Sequence, residues 1–236
     1  MAYTYIFDLD DTLYNQLGAF NVAYHYHFAD SNIGVETLYR HFRHYSDMVF
    51  EQTQEGQMTL TEMHIYRITE AVNDFDIALP EKKALDFQKD YEKAQQHIAL
   101  SHPIKTLLYD LKQSGVQLGI ITNGEGHHQR MKFKALGLDH LIPENHLFIS
   151  AEEGMMKPDV ALFEHVAQTL ELNPQKTFYI GDNFENDVVG ALDAGWRMIW
   201  FNRRNRARTK EEGYEPDFEV ESEEALVDCI RQLQNK

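Results

Sequence analysis

Hydrophobic and polar positions divide the chain into two kinds of pattern. An apolar run of strand length, Tyr3-Thr4-Tyr5-Ile6-Phe7, stops at the acidic tract Asp8-Leu9-Asp10-Asp11-Thr12. From about residue 15 to residue 97 no convincing strand follows. Four helical stretches stand there instead, near 17–29, 35–54, 60–73 and 81–98, punctuated by Gly34, Gly56 and Pro80. After Pro103 helix and strand alternate: helix 104–113, strand 116–122, helix 127–136, strand 147–150, helix 159–171, strand 177–181, helix 186–194 and strand 197–201. Such alternation predicts parallel strands joined by crossover helices. Gln117-Leu118-Gly119-Ile120-Ile121 and Thr177-Phe178-Tyr179-Ile180 are mostly apolar on both faces, as a sheet covered by helices requires. The expected fold is α/β, a doubly wound parallel-sheet core formed by 1–14 and 99–236, with an all-helical unit, 15–98, inserted after the first strand.

Composition narrows the class. A chain of 236 residues that is 43% hydrophobic can bury a full core. The single Cys229 cannot form an internal disulfide, no stretch reaches the length of a membrane span, and Asp8 interrupts the first apolar run, so a cytoplasmic location is expected. A net charge of −16 disfavours a nucleic-acid duplex as partner. A small phosphorylated metabolite is compatible with it, because local cations and Mg2+ can outweigh a distant net charge. Nothing in the chain points to an obligate protein partner.

The acidic tract carries the chemistry. Carboxylates a few Å apart repel, and they either share protons or hold a cation. Alternation along extended backbone turns Asp8 and Asp10 to one side and Asp11 away, provided the extended geometry persists past Asp8. All-oxygen donors suit a hard ion such as Mg2+, and no Cys cluster or HExxH spacing suggests zinc. A solvated Asp-rich turn would explain the tract taken alone.

Ligands of an open parallel sheet bind beyond the carboxyl ends of its strands, so the residues at the other strand ends matter. Thr122-Asn123-Gly124 offers a hydroxyl and an amide before a helix, although Asn123 could equally be only a helix cap. Lys157 stands in Gly154-Met155-Met156-Lys157-Pro158, with Pro158 placed to open a helix. In Gly181-Asp182-Asn183-Phe184-Glu185-Asn186-Asp187, three acids exceed what starting a helix needs.

The elements Asp8-x-Asp10-x-Thr12, Thr122, Lys157 and Gly181-Asp182-x4-Asp187, in this order and each after its own strand, resemble the haloacid dehalogenase superfamily of phosphohydrolases. The resemblance covers essentially the whole chain and implies a Rossmann-like core with the helical insertion as its mobile cap. It further implies Asp8 as nucleophile, forming an aspartyl phosphate, and Asp10 as acid and base with a pKa above that of an ordinary aspartate. Thr122 and Asn123 would bind phosphate, and Lys157 would offset the charge of Asp8 and the phosphate. Mg2+ would be held by Asp8, the backbone carbonyl of Asp10, and Asp182, with Asp187 as a direct or water-mediated supporter. Asp10 favours phosphate ester hydrolysis over carbon–halogen cleavage, since a halide leaves without protonation.

The Asp-Asp-Thr-Leu form of the first motif and the four-helix cap are similar to pyrimidine nucleotide 5'-phosphatases and to phosphatases of sugars or phosphoserine, which leaves the substrate open. A binding or regulatory protein with a retired active site is the competing class. Candidate substrate-reading groups are Tyr14, Asn15, Tyr24, His25 and His27 near the first linker and Tyr45, Met48 and Phe50 on one helix, but aromatics at helical spacing read as cap core more readily than as ligand contacts. The basic run from Arg203 to Lys210 reads as a solvated loop more readily than as a guide for anions.

Overall fold

Among the described residues six short strands carry the core, and all of them run parallel. They are β1 (Thr4–Phe7), β2 (Leu118–Thr122), β3 (Leu147–Ile149), β4 (Thr177–Gly181), β5 (Arg197–Phe201) and β6 (Phe218–Val220), in the spatial order β3-β2-β1-β4-β5-β6. The computed structural model describes residues 3–208 and 213–235. Every residue of β2, β3 and β4 is buried, as their two-sided apolar composition demands of a sheet covered by helices. The strand order reverses at β1, so the crevice beyond the carboxyl ends of β1 and β4 is the switch point where such sheets take ligands.

Between β1 and β2 the chain passes through α1 (Gln16–His27), α2 (Val35–Met48), α3 (Phe50–Gln54), α4 (Leu60–Asn73), α5 (Glu81–Gln95) and α6 (His102–Gln113). The remaining helices are α7 (Gly126–Ala135), α8 (Ser150–Glu153), α9 (Val160–Thr169), α10 (Gly190–Asp193) and α11 (Glu223–Gln234). The chain divides into two compact units, one of Met1–Asn15 with Ala99–Lys236 and the other of Gln16–Ile98.

In the first unit, Ile6, Ile121, Tyr179, Met198 and Trp200 from the sheet pack with Leu162, Phe163 and Val166 of α9 and with Trp196. In the helical unit the core is aromatic, with Phe20 at 5.2 Å from Tyr39, 5.1 Å from Phe42 and 5.5 Å from Phe87, ring centre to ring centre. Tyr24 is buried there and donates to the Ile33 carbonyl at 2.5 Å, and Tyr45 donates to Asp74. Thr59 and Glu62 form a reciprocal capping box that starts α4. No helix among the described residues is long and apolar enough to cross a membrane.

The expected helix over 186–194 differs in the structure. Residues 184–189 form a wide π-type turn that runs into the short α10. Asn183 accepts the Asn186 N–H at 3.0 Å, and Asp187 reaches back to accept the Asn183 N–H at 2.9 Å, so side chains replace the first turn of a regular helix. Asn123 is not a helix cap either. Glu125 caps α7 by accepting from the His127 and His128 N–H groups, and Asn123 is committed to the Lys157 backbone.

Candidate active site

Parallel pairing sets the first carboxylate. β1 registers Phe7 opposite Ile180, and the Asp8 N–H continues the ladder to the Ile180 carbonyl at 2.8 Å, which places Asp8 at the switch-point crevice. Lys157, 4% exposed, reaches it from the loop after α8. Its ammonium donates to Asp8 Oδ1 and Asp187 Oδ1, both at 2.7 Å, and to the Tyr179 hydroxyl at 2.9 Å. Asn123 exchanges two 2.9 Å hydrogen bonds with the Lys157 backbone and so ties the end of β2 to this loop.

Asp187 comes in on the π-type turn and lies so close to the end of β4 that a Cβ on Gly181 would stand 2.3 Å from its carboxyl carbon. Asp182, 8% exposed, directly follows β4, and its carbonyl accepts the Trp200 indole N–H at 2.9 Å. Carboxylate oxygens of Asp8, Asp182 and Asp187 all lie within 4.8 Å of one another.

Burial dominates the electrostatics of this trio. It pushes the Asp8 carboxyl up to about 7; Lys157 opposes the shift, and Asp187 and Asp10 add to it. Burial likewise raises Asp182 well above the ordinary range, against the pull of Arg206. Lys157 loses by burial, but Asp187 and Asp8 outweigh that loss and hold its ammonium above the usual lysine range. Three buried carboxylates face two cations here, Lys157 and Arg206, the latter 3.2 Å from Asp182. An oxygen-only, undercompensated anionic cluster of this size fits Mg2+.

Asp10 departs from expectation. Its carboxylate does not join the trio. Both its oxygens accept from the Lys132 ammonium at 2.8 Å, Oδ1 also accepts from the Tyr14 hydroxyl at 2.5 Å, and Oδ2 accepts from Gln129 Nε2 at 3.0 Å. Burial alone would raise its pKa, but Lys132 and these hydrogen bonds reverse the effect and hold the group well below the usual carboxylate range. The expected elevated pKa is therefore corrected: in this state Asp10 is an anion paired with a buried lysine.

Thr122, 1% exposed, accepts from Gln129 Nε2 at 2.6 Å. Ser150 accepts the Gly124 N–H at 3.0 Å, which shapes the loop beyond β2.

Asp11 lies 3% exposed with φ at +60°, and Arg204 grips it with two hydrogen bonds of 3.0 and 2.6 Å. Among its described residues the basic run is only partly solvated, since Asn205, Ala207 and Arg208 are exposed and three arginines turn inward. Arg203 donates to Glu223 at 3.0 Å, Arg204 holds Asp11 and Arg206 faces Asp182; Thr209 and Lys210 lie outside the described residues. Gln129, Lys132 and Tyr179 are site neighbours that sequence reasoning did not find, whereas Arg204 and Arg206 entered it only as part of the basic run, without their partners Asp11 and Asp182. The available signal for the first two was a pair of polar residues on the same helix face as the buried Phe133.

A parallel sheet with an acidic crevice at its switch point defines an α/β protein with a ligand site there, and comparison with known proteins supplies the family. The profile of the haloacid dehalogenase-like hydrolases matches residues 5–201, and the chain belongs to that family. It is 33% identical over 129 residues to glyceraldehyde 3-phosphate phosphatase of Methanopyrus kandleri, an alignment that spans 53% of this chain and 54% of that protein. The magnesium-bound structure of the HAD-hydrolase YfnB from Bacillus subtilis superposes with a TM-score of 0.73 at 23% identity, covering 97% of this chain and 98% of that one. L-2-haloacid dehalogenase from Xanthobacter autotrophicus shares the fold, with a TM-score of 0.75 at 15% identity over 98% and 99% of the two chains.

Proposed function

We propose that the chain is a Mg2+-dependent phosphomonoesterase that works through an aspartyl phosphate on Asp8, with residues 15–98 as its cap and a small phosphorylated metabolite of the cytoplasm as its substrate. The observation that carries this reading is the buried meeting of Asp8, Lys157, Asp182 and Asp187 at the switch point. The Asp8 carboxylate attacks phosphorus as the bond to the leaving oxygen breaks, and Asp10 protonates that oxygen. Asp10 then takes a proton from the water that opens the acyl phosphate. Because Asp10 is anionic at rest, it must first accept a proton, an uptake that the charge of an arriving phosphate favours. The Thr122 hydroxyl and the backbone N–H of Asn123, whose side chain is spent on the Lys157 backbone, bind phosphoryl oxygens, and Lys157 balances the charge that builds between them and Asp8. Asp8, Asp182 and the Asp10 carbonyl would hold Mg2+, with Asp187 supporting it directly or through water, and the ion would supply the charge that keeps Asp8 ionised and neutralises the phosphoryl oxygens.

The presence of Asp10 favours ester hydrolysis over dehalogenation, and the phosphatase relative at 33% identity supports a sugar phosphate as the first class to try. Phosphate release from sugar phosphates, phosphoserine and nucleoside 5'-monophosphates tests the reading, with Mg2+ and then with EDTA. Wild-type protein should release phosphate only with the metal, and Asp8→Asn should not release it at all. If wild type liberates no phosphate from any of these esters, the chain is a binding or regulatory protein on this fold.

A further inference from the structure

We propose that Gln129 and Lys132, one turn apart on α7, act with Tyr14 as positioning residues that set the carboxylate of Asp10 for proton transfer. This rests on the reading of Asp10 as acid and base given above. Asp10 lies just past the end of β1, where the backbone ladder with β4 no longer holds it. Its side chain is held by four contacts from three residues. Lys132, 4% exposed, reaches both oxygens at 2.8 Å, Tyr14 takes Oδ1 and Gln129 takes Oδ2. A carboxylate gripped at both oxygens can neither rotate nor withdraw, and catalytic geometry tolerates little misplacement.

Gln129 does a second thing. Its Nε2 lies 3.0 Å from Asp10 Oδ2, 3.0 Å from the Asn123 carbonyl and 2.6 Å from Thr122 Oγ1. Two of these neighbours are acceptors without a proton, which fixes the amide with its NH2 toward the site. The two N–H groups of that amide are shared among the three neighbouring oxygens and its nitrogen accepts nothing, so the Thr122 hydroxyl does not spend its own proton on Gln129. One side chain thus joins the acid–base group to the phosphate-binding end of β2. Gly124, at φ +151°, permits the arrangement, because a Cβ there would come within 2.9 Å of the Gln129 side chain.

The experiment compares two phosphomonoesters that differ in leaving group, an alkyl phosphate and p-nitrophenyl phosphate, on wild type, Lys132→Met, Lys132→Arg and Tyr14→Phe. An alkoxide needs protonation to leave and p-nitrophenolate scarcely does. Lys132→Met should lower kcat on the alkyl ester roughly 10–100-fold, a share of the ~10²–10⁴-fold that a positioned acid supplies. It should lower kcat on the aryl ester only a few-fold, with KM little changed on both. Lys132→Arg should recover part of the alkyl loss, and Tyr14→Phe should show the same selectivity at smaller size. Equal losses on both esters, or none, would overturn the positioning role while phosphatase activity stands. If Lys132→Met does not fold, Tyr14→Phe decides by the same comparison. A wild type that hydrolyses neither ester, with no response of its Asp8→Asn variant, overturns the parent reading and this one together.

Discussion

Asp11 shows how a residue with no part in the reaction can still determine whether the site forms. It is buried beside the acidic trio with φ at +60°, a conformation rare for any residue but glycine, asparagine or aspartate. Its charge adds to the repulsion on Asp182, and Arg204 compensates it with a two-pronged ion pair. Removing one partner of a buried pair leaves the other uncompensated, so Arg204→Met should cost about 2–4 kcal/mol in urea unfolding. Asp11→Gly in the same chain relieves both charge and backbone, and the double variant should regain most of that loss. A double variant no more stable than Arg204→Met would refute the pairing. Asp8 and Asp182 were legible in the sequence because each directly follows an apolar strand, and Asp187 because one acid more than a helix start needs stands beyond β4. Lys157, the partner of Asp8, was legible too, but the partners of Asp10 and Asp11 were not, because nothing local relates Asp10 to Lys132 or Asp11 to Arg204. Those pairs arise only when α7 and the segment after β5 are brought beside β1. The missed ion pair also accounts for the wrong sign given to the Asp10 pKa.

Among the elements, β4 and the turn that follows it bear most directly on the site. β4 could be read from its continuous apolar run, but the turn could not, since its path is set by Asn183 and Asp187 side chains bonding to backbone within four residues. Gly181 is what lets Asp187 fold back. Gly181→Ala would force the carboxyl carbon out from 2.3 Å, and a shift of ~1 Å at a reacting group can cost ~10²-fold in rate. We expect phosphate release to fall by about that factor and Mg2+ affinity, read by calorimetry, to fall with it. An alanine variant with unchanged Mg2+ affinity would remove Asp187 from the metal's ligands. The helices were legible where apolar spacing was regular, as in 60–73, which is the span of α4. The 35–54 stretch breaks at Val49 into α2 and α3. β6 escaped notice because its three residues are only partly buried or exposed and carry little apolar signal. α11 was also missed, although Leu226, Val227, Ile230 and Leu233 carry a helical period behind the Ser222 cap.

At the scale of the whole molecule, one group in each unit, Asp8 in the core and His64 among the helices, answers protonation in the opposite sense to the other. In the core unit Asp8 titrates near 7 when folded, against about 3.9 in an unfolded chain. Between those values the folded state holds the extra proton, so stability falls as pH rises through the window, and acidification from about pH 8 to 5 restores it. In the helical unit burial, and then Arg67, hold His64 down at about 3, against about 6.5 unfolded. There the unfolded state binds the extra proton, so this contribution is complete above about 6.5 and is lost as pH falls. The two tryptophans, Trp196 and Trp200, both belong to the core unit. Their fluorescence follows that unit, while far-UV circular dichroism adds the helices of the other. In EDTA, lowering the pH from about 8 to 5 should raise the fluorescence midpoint of wild type relative to Asp8→Asn. The same change should lower its dichroism midpoint relative to His64→Leu. Saturating Mg2+ should reverse the core trend, because the metal requires the carboxylate form and its stabilisation grows with pH. Parallel slopes for wild type and both variants would show that neither group titrates as its burial dictates. A core slope unmoved by Mg2+ would show that Asp8 does not ligate the ion.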